Sequence, residues 1–390
     1  MEASLRDGRD GAEGVYDLGV TENDLLAGGI PKWLQGKELP FSEFMRLALY
    51  DTDSGYYMGL VSPVGTEGDF ITSPLLSPVF SFALSHLVQE FLSPAGDEVS
   101  QIVDVGCGDG TLIHSLWESS PTGARAQFFG VDHSLARLNA AACNNAALLF
   151  FTGLGQIPSP SRRLTFANEL FDALPFGRLV MRPGALHELY VRERNGGIEW
   201  TEHPADPRYE QYLAERAIVL EEGQFADISL EWCEIYEEIA RRTPSGLIVT
   251  FDYGLREEKL FRSRMRRYGT AAAYRGQRVS RDLLAHPGQQ DLTAHVNFSD
   301  LERTGAKNGF TTLFFDSQAK FLLSLGATEH DLFIPLEGSL PSVEAAMELL
   351  DARDRARRLV LPDGIGEEIR VLVQGKGVAE SGWSFQRRLF

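Results

Sequence analysis

Three glycines at alternate positions, Gly106, Gly108 and Gly110, sit between the apolar run Gln101–Val105 and a helix-like segment that opens at Thr111. Glycines so spaced let a ligand approach the backbone, and the following helix offers free N–H groups to an anion. A dinucleotide loop would read GxGxxG; here the third glycine comes one residue early and position 111 is Thr, which points away from NAD. Asp132 ends the next apolar run, Gln127–Val131, where a carboxylate accepts ribose hydroxyls. An amino-acid-bearing nucleoside supplies both a carboxylate for the helix end and a ribose for the acid, and S-adenosylmethionine is such a molecule. The plainer alternative is a tight turn followed by a solvated Asp.

A second group follows the run Leu164–Ala167. Asn168, Glu169 and Asp172 fall where a later parallel strand ends, above the same sheet edge as the glycine loop, and ligands of open α/β sheets bind at that edge. Two carboxylates and an amide there can hold a cationic substrate, abstract a proton or bind a sulfonium, or simply cap a helix. Asp252-Tyr253-Gly254 repeats the arrangement on the next strand. His295 is a candidate general base near neutral pH for a hydroxyl acceptor, or equally a structural histidine.

The elements that must position these residues are legible as a strand, loop and helix alternation. Phe41, Phe44, Met45 and Ala48 predict a helix over 41–50; further helices are expected from Pro78 to Phe91, from Thr111, over 134–147, 230–241, 301–309 and 319–325. Strands are expected over 101–105, 127–131, 164–167, 246–252, 310–315 and 369–373. Together these imply an α/β fold, a doubly wound and mostly parallel Rossmann-like sheet. Short alternating runs over 177–181, 185–192 and 197–201, separated by Pro183-Gly184 and Asn195-Gly196-Gly197, predict an inserted antiparallel meander. Residues 253–294 read as a long polar loop of weak periodicity, a length that favours function. The expected division is an acidic mobile leader (1–36), an N-terminal helical cover (37–95), a core (96–176, 224–254 and 300–390), a meander insert with a helix (177–223) and an active-site insert (255–299).

Composition narrows the partners. The 390 residues are 43% hydrophobic, enough for a large core, and 37 Lys+Arg against 55 Asp+Glu give a net charge of −18. That field disfavours nucleic acid and leans toward basic partners. Cys107, Cys143 and Cys233 include no CxxC pair, so no cysteine metal site is expected. No apolar run reaches the roughly 18 residues of a membrane span. The acidic opening segment, Met1–Gly29, lacks the features of a secretory or transit peptide, so a cytoplasmic location is expected.

Several motifs in order resemble the MidA-like methyltransferases, a family whose mitochondrial member is an arginine methyltransferase assisting assembly of respiratory complex I. They are Phe41-Ser-Glu-Phe-Met45 with Leu49-Tyr50 and Gly55-Tyr-Tyr57; Gly68-Asp-Phe-Ile-Thr-Ser-Pro74; Val103-Asp-Val-Gly-Cys-Gly-Asp-Gly-Thr111; Asn168-Glu-Leu-Phe-Asp-Ala-Leu-Pro175; Asp252-Tyr-Gly254; Gly269-Thr270 with Ala273-Tyr-Arg275; and Gly288 to Phe298. The resemblance implies a class I S-adenosylmethionine-dependent fold. It implies that Asp104, Gly106, Gly108, Gly110, Asp132 and Asn168 hold the cofactor, with Thr72 and Ser73 reaching in from the cover. It further implies that Glu169 and Asp172 line the acceptor pocket, closed by Asp291 and His295 from the insert, and that the acceptor is an arginine-bearing protein.

Four departures stand out: Asp104 where the family usually has Glu, Cys107 where Pro is common, Ser81 where Gly usually follows Phe80, and Gly276-Gln277 where His is usual. The last faces the substrate side and bears on acceptor identity. Small-molecule O- or N-methylation, and a non-catalytic assembly role on the same fold, remain alternatives at this point.

Overall fold

In a computed structural model of the chain, residues 30–58, 72–93, 99–120, 126–144, 147–262, 264–336 and 341–387 are described. The central sheet, eight-stranded among these residues, is built from β1 (Ser100–Val105), β2 (Ala126–Val131), β3 (Leu149–Phe151), β4 (Arg162–Asn168), β5 (Gly246–Leu255), β6 (Thr311–Ser317) and β7 (Ile369–Lys376), with Val296–Asn297 added to the end of β5. Its order is β6-β7-β5-β4-β1-β2-β3. The first five strands run parallel, and β7 is antiparallel to both β5 and β6. Every residue of β1 is buried, as a strand covered on both faces requires.

The helices are α1 (Phe41–Tyr50), α2 (Pro78–Leu92), α3 (Thr111–Glu118), α4 (Leu135–Asn144), α5 (Glu231–Arg241), α6 (Phe298–Lys307), α7 (Gln318–Ser324) and α8 (Val343–Val360). One face of the sheet packs on α2, α3 and α7, where Phe80 meets Phe251 with ring centroids 5.1 Å apart and Phe251 meets Phe321. The other packs on α5 and α6 through Trp232, Tyr236, Phe298 and Leu301. The Ser77 hydroxyl accepts from the Val79 N–H and Pro78 takes the first helical position, so the start of α2 is fixed by its sequence.

The meander forms a separate sheet that reaches further than expected. Gly177–Arg182, Ala185–Arg194 and Gly197–Pro204 pair in succession, but Phe225–Ile228 adds beside the first strand and Glu38–Pro40 beside the second. Phe225–Ile228 therefore lies in this sheet rather than in the core. The cover seals it: Phe41 packs on Phe176 and Trp200 at 5.3 and 5.1 Å. Leu34, placed in the mobile leader by sequence, is fully buried in the same cluster, and residues 1–29 lie outside the described residues.

Residues 253–294 are not an open loop. They hold a short helix, Glu257–Phe261, and a three-stranded antiparallel sheet of Ala272–Arg275, Arg278–Ser280 and Asp291–Thr293. Ala273, Leu292 and Ala294 pack into the cover cluster, so this insert is held by distant contacts. One helix starts earlier than expected: α6 begins at Phe298, capped by the Asn297 side chain, which accepts from the Ser299 N–H. Helix α8 has no counterpart in the expected elements.

Candidate functional site

The strand order reverses between β1 and β4, and the crevice above their carboxyl ends is the expected ligand position of such a sheet. A cavity of about 560 Å³ opens there. Its wall includes Asp104, Gly106, Gly108, Asp132, Asn168, Glu169 and Thr72, joined by Arg46, Tyr50, Tyr57 and Arg137.

On the β1 side the backbone is arranged in advance. Gly106, Gly108 and Gly110 have φ of +75°, +55° and +77°, a region L side chains rarely adopt. At Gly108 nothing but the Arg137 Nη1, 3.9 Å away, approaches the place of a Cβ, so the loop faces open space. Asp132 fastens this loop: its carboxylate accepts from the Gly108 N–H at 3.0 Å and from the Ser134 N–H at 2.9 Å. Carboxylate oxygens have further lone pairs, so ribose hydroxyls can be added to these bonds. Asp109 accepts from both the Thr111 N–H and hydroxyl and starts α3. Asp104 lies enclosed beneath; burial, with Asp132 and Asp109 nearby, pushes its carboxyl up to about 7.

On the β4 side, carboxylates converge. Glu169 has φ +50°, a strained conformation for a non-glycine residue, held by its N–H donating to the Phe251 carbonyl at 2.8 Å. Its Oε1 accepts from the Ser73 N–H at 3.3 Å and from the Asn168 amide at 3.2 Å. The cover thus touches the site through Ser73. Enclosure still dominates and raises the Glu169 carboxyl to about 7. The Asn168 Oδ1 is buried with no partner among the described residues.

Behind Glu169 stand three more acids. Asp252 accepts from the Phe171 and Tyr253 N–H groups. Burial drives the Asp172 carboxyl well above its ordinary range, with Asp252, Asp291 and Glu169 adding repulsion, and raises Asp252 in the same direction. Asp291 accepts from the Tyr57 hydroxyl at 2.8 Å, and the Tyr57 ring stacks on Tyr50 at 5.6 Å. No described residue forms an ion pair with Glu169, Asp172 or Asp252. Nor do three His, Cys, Asp or Glu side chains converge as metal ligands among the described residues.

Not every expected residue reaches the cavity. Glu169 is on its wall, whereas Asp172, Asp291, Gly110 and Ser73 are not, Asp291 being joined to the wall through the Tyr57 hydroxyl. His295 is not on the wall. Its N–H donates to the Thr270 hydroxyl, and its ring is influenced by Arg266, Arg281 and Asp227. Burial, ahead of those arginines, lowers it to about 4. Tyr50, Tyr57 and Arg137 had no assigned role; Tyr50 and Tyr57 carried a signal, in the Leu49-Tyr50 and Gly55-Tyr-Tyr57 motifs.

The orphaned Asn168 Oδ1, the open loop at Gly108 and the carboxylate at the second strand end fit a nucleoside bearing an amino acid. Comparisons with known proteins agree. The chain is 26% identical to the mitochondrial protein arginine methyltransferase NDUFAF7 of Danio rerio, over 84% of this chain and 81% of the relative. It is 28% identical to the Drosophila melanogaster homologue, over 70% and 68%. A Burkholderia thailandensis protein solved with S-adenosyl-homocysteine superposes with a TM-score of 0.78 at 25% identity, covering 90% of this chain and 91% of that one. A second structure from that organism, at 23% identity and a TM-score of 0.73, shares the fold.

These relatives correct the cytoplasmic expectation, since the animal proteins are named as mitochondrial; an acidic opening segment does not establish a compartment. Residues 83–315, more than half of the chain, match the family model described as "Putative S-adenosyl-L-methionine-dependent methyltransferase". With the class I sheet, its glycine loop and the cavity above β1 and β4, the chain belongs to this family of S-adenosylmethionine-dependent methyltransferases.

Proposed function

We propose that the protein transfers a methyl group to a nitrogen of an arginine side chain in a protein substrate. The observation that carries this reading is the group of enclosed acids, half-buried Glu169 with buried Asp172 and Asp252, buried Asp291 close by, and no cation among the described residues paired with the first three. Buried carboxylates that repel one another call for a cation. A guanidinium stays charged at any working pH, and its planar fork matches carboxylates in pairs. The relatives named as protein arginine methyltransferases point the same way.

S-adenosylmethionine supplies a methyl carbon activated by its sulfonium. The chain's own residues position and deprotonate. Gly106, Gly108 and Gly110 give the backbone cradle, Asp132 and Asn168 face the nucleoside, Asp104 supports the loop from below, and Thr72 and Ser73 close the cover side. Glu169 stands between cofactor cavity and acid cluster. A carboxyl raised to about 7 binds the guanidinium when ionised and takes up the proton that the methylated nitrogen must lose. Asp172 and Asp291 hold the fork in register. His295 is off the cavity wall, which supports nitrogen over oxygen as the acceptor.

The test is incubation of wild-type protein and a Gly108→Arg control with methyl-labelled cofactor and cell extract, separated into protein and metabolite fractions. Label in the protein fraction for wild type alone supports the reading. Label confined to metabolites, or equal labelling by the control, contradicts it.

A further inference from the structure

Two arginines line the cavity, and their circumstances differ. Arg46 is committed, its guanidinium paired with Glu231, which lines the same wall. Arg137 is not: its Nε and Nη2 are buried with no hydrogen-bond partner among the described residues. Its guanidinium lies 5.0 Å over the Tyr57 ring, and its Nη1 stands beside the glycine loop, 3.9 Å from where a Cβ on Gly108 would be.

A buried guanidinium without an acceptor is costly, and one placed on a ligand cavity calls for an anion. The other charged groups on this wall near the loop, Asp104, Asp132 and Glu169, are acids. They suit the two cationic groups of S-adenosylmethionine, its sulfonium and its ammonium. The one anionic group of that molecule is its carboxylate. We infer that Arg137 is a cofactor-binding residue that receives the amino-acid carboxylate of S-adenosylmethionine, with the Tyr57 face holding the guanidinium in place beforehand. A cation–π contact is a fitting parking position for an arginine, because it holds the guanidinium without using its N–H donors. The assignment also explains a polar asymmetry of the loop: Asp132 has engaged the Gly108 N–H, so the loop by itself presents one donor fewer to an anion.

The inference rests on the cofactor occupying the cavity above β1 and β4, and the test separates the two. Calorimetric affinities are measured for S-adenosylhomocysteine, for its analogue lacking the carboxylate, and for 5′-methylthioadenosine, which lacks the whole amino-acid portion. Wild type is compared with Arg137→Gln and Arg137→Lys. The expected result is a loss of at least tenfold for S-adenosylhomocysteine in Arg137→Gln, a smaller loss in Arg137→Lys, and less than a twofold change for both truncated ligands.

Equal losses for all three ligands would mean stacking on the nucleoside and overturn the inference; so would no loss for any. If Arg137→Gln proves unstable, wild type and Arg137→Lys decide. A penalty below threefold for removing the carboxylate overturns the inference, and one above tenfold, abolished in Arg137→Lys when the salt concentration is raised, supports it. Failure of wild type to bind any of the three ligands would instead remove the cofactor site itself.

Discussion

The two sides of the cavity solve different physical problems. At the β1 side, Arg137 apart, the loop's polar groups are already satisfied: Asp132 holds Gly108 and Ser134, Asp109 holds Thr111, and the loop keeps its shape through left-handed glycines. At the β4 side they are not. Glu169 is strained at φ +50°, Asn168 Oδ1 is orphaned, and buried acids lift one another's proton affinity. The first is a preorganised cradle, and the second stores unfavourable electrostatics that a bound cation relieves. Such division matches a reaction in which one ligand must be held still and the other must be selected by charge.

The comparison breaks most sharply at Gly108. Gly108→Arg forces a side chain into the cavity from a backbone with φ +55°, and binding of S-adenosylhomocysteine should fall more than a hundredfold by calorimetry. Next, Glu169→Gln should reduce methyl transfer roughly a hundredfold while changing S-adenosylhomocysteine affinity by less than about threefold. An equal loss of both would merge the two sides into one.

A third test uses pH. Folding raises the Glu169 carboxyl from 4.5 to about 7, so between those values the folded state binds more protons than the unfolded one. Stability of the ligand-free protein should therefore fall as pH rises through that window. In urea unfolding at pH 5.5 and 8, the loss in Glu169→Gln should be roughly 1–2 kcal/mol smaller than in wild type. Tyr57→Phe, which removes the bond to Asp291, should slow transfer about five- to tenfold in single turnovers with cofactor affinity unchanged. The smallest effect is expected for His295→Asn, under twofold on transfer in the same assay.

The two sides also differ in how far the sequence reveals them. The glycine loop is legible because a strand-to-helix turn with left-handed φ demands glycine locally, and β1, β2 and β5 are legible as short apolar runs. Asn168, Glu169 and Asp172 are legible as positions at a strand end. Their partnership with Asp291 is implied only by the family resemblance and not by local pattern, because the Tyr57 hydroxyl joins segments 234 residues apart.

The insert sheet escapes notice because its strands are three or four residues long and Ala273, Leu292 and Ala294 are buried against the cover, leaving no local period. Helix α8 escapes because only Ala356, Leu359 and Val360 are fully buried, too narrow a stripe to stand out among its charges. His295 differs again: its residue type fits catalysis, yet it is not on the cavity wall, and its backbone N–H donates to the Thr270 hydroxyl. Arg137 is silent in sequence, one polar position on a helix, since its meaning lies in what the cavity receives.

The central claim is that the β4 side receives a guanidinium. Its most direct test is mass spectrometry of substrate proteins methylated by wild type and by Glu169→Gln, with the labelled methyl group located by fragmentation. The account predicts methyl groups on arginine side-chain nitrogens with wild type and their near absence with Glu169→Gln. Methyl groups found instead on carboxylates, hydroxyls or lysines, or arginine methylation undiminished in Glu169→Gln, would contradict it.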